Sequence, residues 1–555
     1  MSIAITSMGS LDVVFDILNR YEKATNAKIN VNKTEALWVG KWKNRTDKPK
    51  DLKWSNRSIK SLGVYIGNNR EEAGSIGFEE IKEKIKNKLK FWKGKGISLK
   101  GKIRVLNTFV LTKLWYACEI HDIPIHIRDE INQMIKVFFW DGKYHQRSLE
   151  GLTEDYAQGG LRLASIEKKI NTLRINWLCS LMKRGTHTIE HILANELISD
   201  NNLKLGYDIL KGYESNQIKT ISNRFYRNAC LAWYNSKIRF VPKNRDSINN
   251  LWLYDNILLK DDEGRSFKPP KYFGSIRNQR NMPNTFGDLP FPLINRNVND
   301  SRIIRSINKS FGKIEWGTHN YFSIKIQGVE TPLADLISKQ IYWSLFARSI
   351  DYPWKRKWNN IIEIHENSWK YIWENVHDTY LPYKIQSSLW EMVNLNFISS
   401  YRLNIMYNKS KACVNCQEDE EGPAHTFLFC DISNQVYNHF MVLLMKFSNK
   451  GLDMKEKCFG IFLESVESKK KERLRNYILS LIKHTIFKKR ANQAHLPKEG
   501  ISLFLINLCK KLITKDLNSK YIIASKNKKI QIFKDNFLME GILGNIDQST
   551  LKIYI

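Results

Sequence analysis

The sequence predicts a mainly α-helical protein with a small α+β region at its N-terminus and a helical C-terminal region that contains one compact Cys/His cluster. Apolar residues recur at helical spacing in most of the chain, and the short β patterns that we identify lie before residue 70. Three of the eight cysteines fall within 18 residues, which indicates a metal site rather than a disulfide scaffold. At 555 residues the chain exceeds what one core organises, so several domains are expected.

The composition is that of a folded, strongly basic protein. Hydrophobic residues make up 42% of the chain and aromatic residues 12%, which excludes general disorder. With 88 Lys and Arg against 56 Asp and Glu, the formal net charge is +32, and such a surface attracts polyanions. Drift toward Lys and Asn in an AT-rich genome is the alternative explanation. The basic residues are clustered, however, so nucleic acid is the expected partner.

Targeting and membrane signals are not recognisable in the sequence. The first six residues lack both the basic leader and the long apolar run of a signal peptide. No later apolar run approaches the roughly 18 residues that span a bilayer. We therefore expect a soluble, intracellular protein of the nucleus or cytoplasm with no membrane partner. The sequence does not indicate an oligomeric state.

The first elements are predicted to be a helix, a turn and a strand. Residues 11–24 place apolar side chains at helical spacing, Thr25 and Asn26 are a stop signal, and residues 29–31 have strand character. Residues 61–67 follow as a short β segment that glycines punctuate.

A pair of helices with a basic face is predicted next. Between residues 81 and 93 the apolar residues lie on one helical face, Gly94 and Gly96 end the helix, and Ser98 caps the following one. Residues 81–104 contain ten basic residues and a single acid. Such a face suits a nucleic-acid duplex, because Lys neutralises phosphates and releases counterions. The alternative is that this is only a solvated helix face, and Trp92 is expected to lie in the core in either case. The candidate nucleic-acid-binding residues are Lys82, Lys86, Lys90, Lys93, Lys100, Lys102 and Arg104.

The rest of the chain is predicted to be helical on either side of a linker. Residues 165–183 and the basic stretch 469–490 have helical patterns, whereas residues 265–299 contain five of the thirteen prolines and are the best linker candidate. Asp261–Asp262 is interpreted as a turn rather than a catalytic carboxylate pair, because it lacks strand context. Two tryptophan pairs at helical spacing are interpreted as core, although they could stack on unpaired bases: Trp354/Trp358 and Trp369/Trp373.

The sharpest local pattern is a set of four metal-ligand residues, Cys413, Cys416, His425 and Cys430. Three thiolates and one imidazole complete the tetrahedron that Zn²⁺ favours and leave no open position for water, so the site would be structural. The alternative is that these are ordinary core residues. Against it, Val414, Asn415 and the acidic loop between the ligand pairs are expected to face solvent. His439 is a weaker substitute ligand.

The acidic loop contains four carboxylates: Glu418, Asp419, Glu420 and Glu421. Four carboxylates repel phosphates, so this loop is not expected to bind a phosphate backbone directly. We expect the Cys/His cluster to hold helices together. Any nucleic-acid contact near it would come from flanking residues such as Lys409 and Lys411.

Several of these motifs, in this order, resemble the carboxy-terminal part of LINE-type (non-LTR) retrotransposon reverse transcriptases. Residues 25–35 are similar to the family's strand motif after its catalytic Asp-Asp, with Ala27 in place of the usual Leu, and residues 62–66 resemble its primer-grip hairpin. The stretch 91–116 is similar to the thumb. Residues 138–140 and 159–163 resemble the signature beyond the thumb, and residues 413–430 resemble the zinc knuckle. Residues 486–492 resemble the tail helix, although Phe487 replaces its Trp and Ala491 is inserted. The resemblance is thinnest over residues 200–340.

The resemblance implies a domain order. It would begin with a small α+β remnant of a polymerase palm, continue through a helical thumb and end in a helical region with one zinc knuckle. The predicted boundaries are 1–70 for the palm remnant with its primer-grip-like hairpin, 71–150 for thumb-like helices, 151–264 for a helical region, 265–340 for an irregular linker, 341–445 for the helical region with the knuckle, and 446–555 for a basic helical tail.

The resemblance also implies a reaction, the templated addition of deoxynucleotides by two Mg²⁺ ions on palm carboxylates, with an RNA template and a DNA primer as partners. In the family those carboxylates precede the part that this chain matches. Mg²⁺ therefore belongs to the intact polymerase, and we expect the isolated chain to be inactive. Lys33 is a candidate catalytic cation or general acid, with a plain surface Lys as the alternative. The primer-grip-like residues are Leu62, Gly63, Val64 and Tyr65.

Two hypotheses about function follow. In the first, the chain is the C-terminal fragment of a retrotransposon RNA-directed DNA polymerase that binds template and primer. In the second, it is a stand-alone basic, zinc-stabilised nucleic-acid-binding protein. An in-frame Ala-Asp-Asp motif in the upstream genomic sequence would favour the first hypothesis. The clustered charge disfavours a third class, a structural scaffold.

Overall fold

A computed structural model of the chain describes most of its residues. The described ranges are 3–142, 147–183, 188–199, 206–211, 218–236, 238–242, 322–326, 329–332, 335–346, 352–396, 399–448, 450–460, 469–489, 496–539 and 541–555.

Helices dominate the described part of the chain. The α-helices are α1 Met8–Thr25, α2 Arg70–Trp92, α3 Leu99–Val105, α4 Thr112–Ile120, α5 Ile125–Trp140, α6 Leu149–Thr153, α7 Ile166–Lys183, α8 Ile189–Ser199, α9 Arg224–Asn235, α10 Ser338–Ser344, α11 Pro353–Asn359, α12 Ser368–Val376, α13 Tyr383–Val393, α14 Ser400–Tyr407, α15 Asp431–Met445, α16 Met454–Phe459, α17 Lys469–Lys489, α18 Lys498–Lys526 and α19 Ile530–Phe533. Tighter or wider helical turns include the 3₁₀ turns Val31–Lys33, Gly40–Trp42, Pro49–Asp51, Tyr156–Gln158 and Gly206–Lys211, and the π turns Leu106–Val110, His425–Phe429 and Lys534–Leu538.

The strands are short and form small sheets. They are β1 Glu35–Leu37, β2 Lys53–Ser55, β3 Ser58–Ser61, β4 Val64–Gly67, β5 Arg239–Pro242, β6 Phe322–Ile326, β7 Val329–Thr331, β8 Gly544–Asp547 and β9 Thr550–Ile553. β1 and β2 pair in parallel, β3–β4 and β8–β9 are antiparallel hairpins, and β5–β6–β7 form an antiparallel sheet. The mainly α class with a small N-terminal β portion is confirmed.

The chain divides into two compact units. Unit 1 comprises Met1–Lys88, Leu111–Ile131 and Ile166–Leu345, and unit 2 comprises Leu89–Val110, Asn132–Ser165 and Phe346–Ile555. Residues from the predicted thumb, 71–150, contribute to both. The core of unit 1 is built mainly on α7, α8 and α9, and it includes the buried residues Ile175, Leu178, Ile198, Cys230 and Trp233.

Tryptophans form the core of unit 2. Trp354 packs edge-on against Trp369, with ring centroids 4.9 Å apart, and against Trp373 at 5.3 Å. Trp358 is fully buried and packs against Phe459 at 4.9 Å. Burial of a large aromatic side chain contributes about 1.5–3 kcal/mol. The interpretation of both tryptophan pairs as core is confirmed.

The N-terminal elements agree with the sequence except at one strand. α1 starts at the Ser7 cap and ends at Asn26, which has φ 61° and is left-handed, so the predicted stop is confirmed. The strand predicted at residues 29–31 is wrong. Asn30 caps the 3₁₀ turn Val31–Lys33 instead, since its side chain accepts a hydrogen bond from the Lys33 amide, and the first strand begins at Glu35.

The helical hairpin follows the prediction closely. α2 buries Ile85 and Leu89, and Ser98 caps α3 by accepting a hydrogen bond from the Gly101 amide at 3.2 Å. The second helix is not continuous, because the π turn Leu106–Val110 separates α3 from α4. Trp92 is only half-buried; its ring stacks on Phe109 with centroids 6.0 Å apart.

Some predictions fall outside the described residues. These include the Asp261–Asp262 turn, most of the 265–340 linker, and residues 490–492 of the tail motif. The described end of the linker region contains β6, β7 and the start of α10. None of the helices in the described part of the chain combines the length and apolarity that crossing a bilayer requires.

Candidate metal centre and nucleic-acid interface

The four predicted metal ligands lie together in unit 2. One ligand atom from each of Cys413, Cys416, His425 and Cys430 lies within 4.8 Å of the others. All three cysteines are buried, and His425 is 9% exposed. His425 Nε2 is 3.3 Å from the Cys416 sulfur, so this nitrogen is the one that faces the thiols. Such a Cys₃His set fits tetrahedral Zn²⁺.

A tight turn brings the first two cysteines together. The Cys413 amide donates to the Asp419 carbonyl at 2.7 Å, and the Gln417 amide donates to the Cys413 carbonyl at 2.8 Å. Gln417 adopts φ 64°, which reverses the chain. The Asn415 amide points at the Cys413 sulfur, with a nitrogen–sulfur distance of 3.4 Å. An amide aimed at the sulfur stabilises the thiolate, which is the ligand form.

The other two ligands flank a π turn. His425 begins the turn and Cys430 follows it, and the Cys430 amide donates to the His425 carbonyl at 2.7 Å. Cys430 then stands at the N-cap of α15. Asp419 Oδ2 lies 3.6 Å from His425 Nδ1, on the side of the ring away from the thiols. A carboxylate behind a ligating histidine orients the ring and favours the tautomer whose Nε2 is free to bind metal.

A hydrogen bond links two of the four ligand side chains. The Cys413 thiol donates to Cys430 and thereby lowers the pKa of Cys430. Because thiolates are the form that binds metal, an ion at this site would release the proton that the two sulfurs share.

The surroundings of the ligands differ from the prediction. Asn415 was expected to face solvent but is fully buried, and Glu421 is 1% exposed. Glu421 accepts hydrogen bonds from the Ser400 amide at 2.5 Å and from the Ser400 hydroxyl at 2.7 Å, so it holds the start of α14 against the ligand loop. The sequence did not show this because a buried carboxylate needs partners that only the fold supplies.

The other three loop carboxylates are exposed, and two of them pair with lysines. Glu418 pairs with Lys498, and Glu420 pairs with Lys411 at 3.2 Å. Asp419 faces His425. His439, the substitute ligand, lies exposed on α15 and is not part of the four-residue group.

The lysines of the predicted basic face of α2 differ in their ion pairing and exposure. Lys82 is paired with both Glu79, at 2.7 Å, and Glu130, at 2.8 Å. Hydrogen bonds to these two carboxylates raise the pKa of Lys82 to about 12. Lys86 is exposed and pairs with Glu83 at 3.3 Å.

Lys90 lies in the last turn of α2, and Lys93 directly follows the last residue of the helix. Both are exposed, and neither forms an ion pair with a carboxylate in the described ranges. With Lys86, they form a run of three exposed cations at the C-terminal end of α2.

The cations of α3 also differ in burial and ion pairing. Lys102 is 6% exposed, ion-pairs with Asp141 at 2.6 Å and donates to the Phe139 carbonyl at 3.0 Å, so its ammonium is directed into unit 2. Arg104 is exposed, whereas Lys100 is half-buried. Around Lys100 and Arg104 the fold places Tyr156, Arg162 and Tyr383, whose roles the sequence analysis missed because they come from distant segments.

The palm-like candidates lie on the N-terminal elements. Lys33 is exposed at the end of its 3₁₀ turn. Leu62 and Gly63 form the two-residue turn of the β3–β4 hairpin with φ 50° and 86°, and Leu62 is 86% exposed. Val64 is buried, and the Tyr65 carbonyl accepts a hydrogen bond from His121 Nε2 at 2.7 Å. A hairpin is therefore present at this position, with a turn at Leu62 and Gly63 inside the segment predicted as β, and its role as a primer grip stays a prediction.

Comparison with known proteins adds a family relationship to this geometry. Residues 349–437 match a family described as zinc-binding in reverse transcriptase, and this range contains all four ligands. The resemblance to the carboxy-terminal part of a LINE-type reverse transcriptase is confirmed. The Cys₃His group therefore lies within the part of the chain that is similar to zinc-binding regions of reverse transcriptases.

A transposon protein shows similarity as well. The chain is 30% identical over 159 residues to the Transposon TX1 uncharacterized 149 kDa protein of Xenopus laevis. The match covers 28% of this chain and 12% of that protein. The chain thus matches a small part of a much longer relative.

Proposed function

We propose that this chain is the carboxy-terminal, nucleic-acid-binding part of a retrotransposon RNA-directed DNA polymerase, with template RNA and primer DNA as its partners. The observation that carries the proposal is the run of exposed cations in the second half of α2 and just beyond its end, Lys86, Lys90 and Lys93, in a chain of net charge +32. The spacing of four residues between Lys86 and Lys90 places both on one face of α2, and Lys93 extends the run beyond the last residue of the helix. Cations in such a row contact successive phosphates and position a duplex without reading its bases.

The zinc centre has a structural role in this proposal. Cys413, Cys416, His425 and Cys430 would fill the coordination shell of Zn²⁺, which leaves no position for a substrate. When bound, the ion joins the ligand loop, the π turn and α15. The Glu421 contact to Ser400 would then hold α14 in the same assembly.

Catalysis belongs to the intact polymerase in this proposal. Two-metal polymerisation needs clustered palm carboxylates. The sequence contains one Asp-Asp pair, Asp261–Asp262, within a Lys-Asp-Asp-Glu-Gly stretch. Within the described ranges, no group of three or more His, Cys, Asp or Glu side chains besides the Cys₃His set is close enough to hold a metal ion. In this proposal Mg²⁺ would be bound by palm carboxylates outside the residues that the structure describes.

The test is the salt dependence of duplex binding. The affinity of the purified chain for an RNA–DNA hybrid duplex is measured by fluorescence anisotropy at several salt concentrations. Each lost phosphate contact reduces the slope of log affinity against log salt by about 0.9, so K86Q/K90Q/K93Q should reduce it by at most about 2.7. Gln is a helix former close to Lys, so α2 should stay folded.

The matched control is K82Q. Lys82 carries the same charge on the same helix, but Glu79 and Glu130 already neutralise it, so its loss should change the slope by much less than one phosphate contact. A triple variant that is folded by circular dichroism and keeps the wild-type affinity and slope would show that the α2 face is only solvated, and the proposal would fail.

A further inference from the structure

A second group of cations lies within unit 2 and is organised by two aromatic rings. This tyrosine–cation cluster consists of Lys100, Arg104, Tyr156, Arg162 and Tyr383. Lys100 Nζ lies 4.7 Å from the ring centroid of Tyr156 and 5.1 Å from that of Tyr383. The guanidinium carbons of Arg162 and Arg104 lie 4.4 Å from the Tyr156 ring and 5.5 Å from the Tyr383 ring, respectively. Three positive groups therefore surround one small region.

A buried amide positions Lys100. Gln386 is 2% exposed, and its Nε2 donates to the carbonyls of Asp378, at 2.9 Å, and Leu381, at 2.8 Å. Because both carbonyls require a donor, Gln386 Oε1 is left to accept a hydrogen bond from Lys100 Nζ. The amide thus holds the ammonium group beside the tyrosines.

The cluster has more positive charge than its carboxylates neutralise. Asp155 pairs with Arg162 at 2.7 Å, whereas neither Lys100 nor Arg104 has an ion pair with a carboxylate in the described part of the chain. Burial, followed by the like charges of Arg162 and Arg104, lowers the pKa of Lys100 to about 8. A half-buried ammonium group without a counter-charge is unfavourable, and a bound anion would offset the repulsion among the three cations.

His377 borders the cluster without contributing charge. Its ring packs on Tyr156 with centroids 4.2 Å apart. Both ring nitrogens are buried, and neither has a hydrogen-bond partner among the described residues. Burial, together with the charges of Lys100 and Arg162, lowers the pKa of His377 to about 3, so the ring is neutral at physiological pH.

We propose that the tyrosine–cation cluster binds a phosphoryl oxyanion and that, resting on the proposed function, this oxyanion is a backbone phosphate of a bound nucleic-acid strand. Planar guanidinium groups offer paired donors to phosphate oxygens, and a Lys adds a point charge. Arg104 is exposed and Tyr383 is 41% exposed, so the cluster is open to a ligand from solvent. Free phosphate or polyphosphate has the same chemistry and is the other source to be distinguished.

The first arm of the test uses inorganic pyrophosphate. Its binding to the full chain is measured by isothermal titration calorimetry at pH 7. R104Q removes a cation without breaking an ion pair and should weaken binding about tenfold, the effect of one charge-assisted hydrogen bond. R104K should retain part of the affinity. The matched control is K384Q, which removes an exposed Lys next to Tyr383 in sequence but outside the cluster, and it should bind as wild type does.

The second arm uses the RNA–DNA hybrid duplex. Weaker duplex binding by R104Q than by K384Q supports a backbone phosphate, with or without measurable pyrophosphate binding. If R104Q weakens pyrophosphate binding but leaves duplex binding unchanged, the assignment to a backbone phosphate is overturned in favour of a free phosphate. If Arg104 affects neither ligand, the proposal is overturned. Failure of the proposed function would appear separately, as an unchanged salt slope in K86Q/K90Q/K93Q.

Discussion

Gly159 and Trp373 lie in direct contact. Gly159 adopts φ +78°, and a β-carbon built on it would lie 2.8 Å from Cε2 of the Trp373 ring. The Gly159 carbonyl also accepts a hydrogen bond from Trp390 Nε1 at 2.8 Å. A glycine that the sequence marked only as part of a family signature is therefore packed into the tryptophan core of unit 2.

We predict that G159A destabilises unit 2 strongly. The left-handed backbone costs an Ala about 1–2 kcal/mol, and the clash with the buried ring adds roughly 1–3 kcal/mol. The control is G94A, because Gly94 has the same φ of +78° but no atom within 4 Å of the added carbon. Chemical denaturation should show a larger loss for G159A than for G94A. Equal losses would mean that backbone strain alone accounts for the effect.

We predict about one zinc per chain, since four donors close the tetrahedral shell. C430S should lose the metal and make residues near α14 and the π turn more sensitive to protease. C458A is the control, because Cys458 is buried outside the ligand group and its loss should leave the zinc content unchanged. Metal analysis by mass spectrometry provides the measurement. Full zinc content in C430S would reassign the ligands.

The buried Lys483 predicts an alkaline change in stability. Burial lowers its pKa from 10.5 to about 8, while the neighbouring Cys458 and Glu456 act in the opposite direction. Between about pH 8 and 10.5 the unfolded chain keeps a proton that the folded chain has released, so this group makes the free energy of unfolding rise with pH in that window. K483M removes this contribution.

The measurement is the difference in unfolding free energy between wild type and K483M at pH 7.5 and pH 10. Wild type should gain roughly 1–3 kcal/mol relative to K483M over this interval. The control is K471M, which changes an exposed residue at the start of the same helix and keeps Lys483. The difference in unfolding free energy between wild type and K471M should be the same at both pH values. A constant difference between wild type and K483M would mean that Lys483 stays protonated throughout.

We predict that the purified chain does not incorporate deoxynucleotides on an RNA template with Mg²⁺. Two metal ions at catalytic spacing require clustered carboxylates, and the described residues contain no such cluster. The assay is primer extension with wild type and the D261N/D262N variant, after contaminating polymerases are removed. Template-dependent synthesis by the wild type would contradict the prediction, and its loss in the variant would identify Asp261–Asp262 as the metal site.

The sequence by itself determined the features whose signals are local. The spacing of Cys413 to Cys430 placed four donors within 18 residues, and these residues do converge. The helical period predicted α2 with Ile85 and Leu89 buried, and the Ser98 cap was visible as a short polar residue before an apolar run. In each case the interacting residues are close in the chain, so their geometry follows from backbone periodicity and spacing.

Only the tertiary structure decided which charged groups are available. Lys82, Lys102 and Lys86 look alike in the sequence, yet the first is held by two carboxylates, the second is buried against Asp141, and the third is exposed. Lys100 meets Gln386 across a separation of 286 residues, and Trp390 meets Gly159 across 231. Such contacts arise from the packing of segments that carry no local signal of each other. Burial and ion pairing, which set the charge and reach of a side chain, are therefore properties of the folded chain.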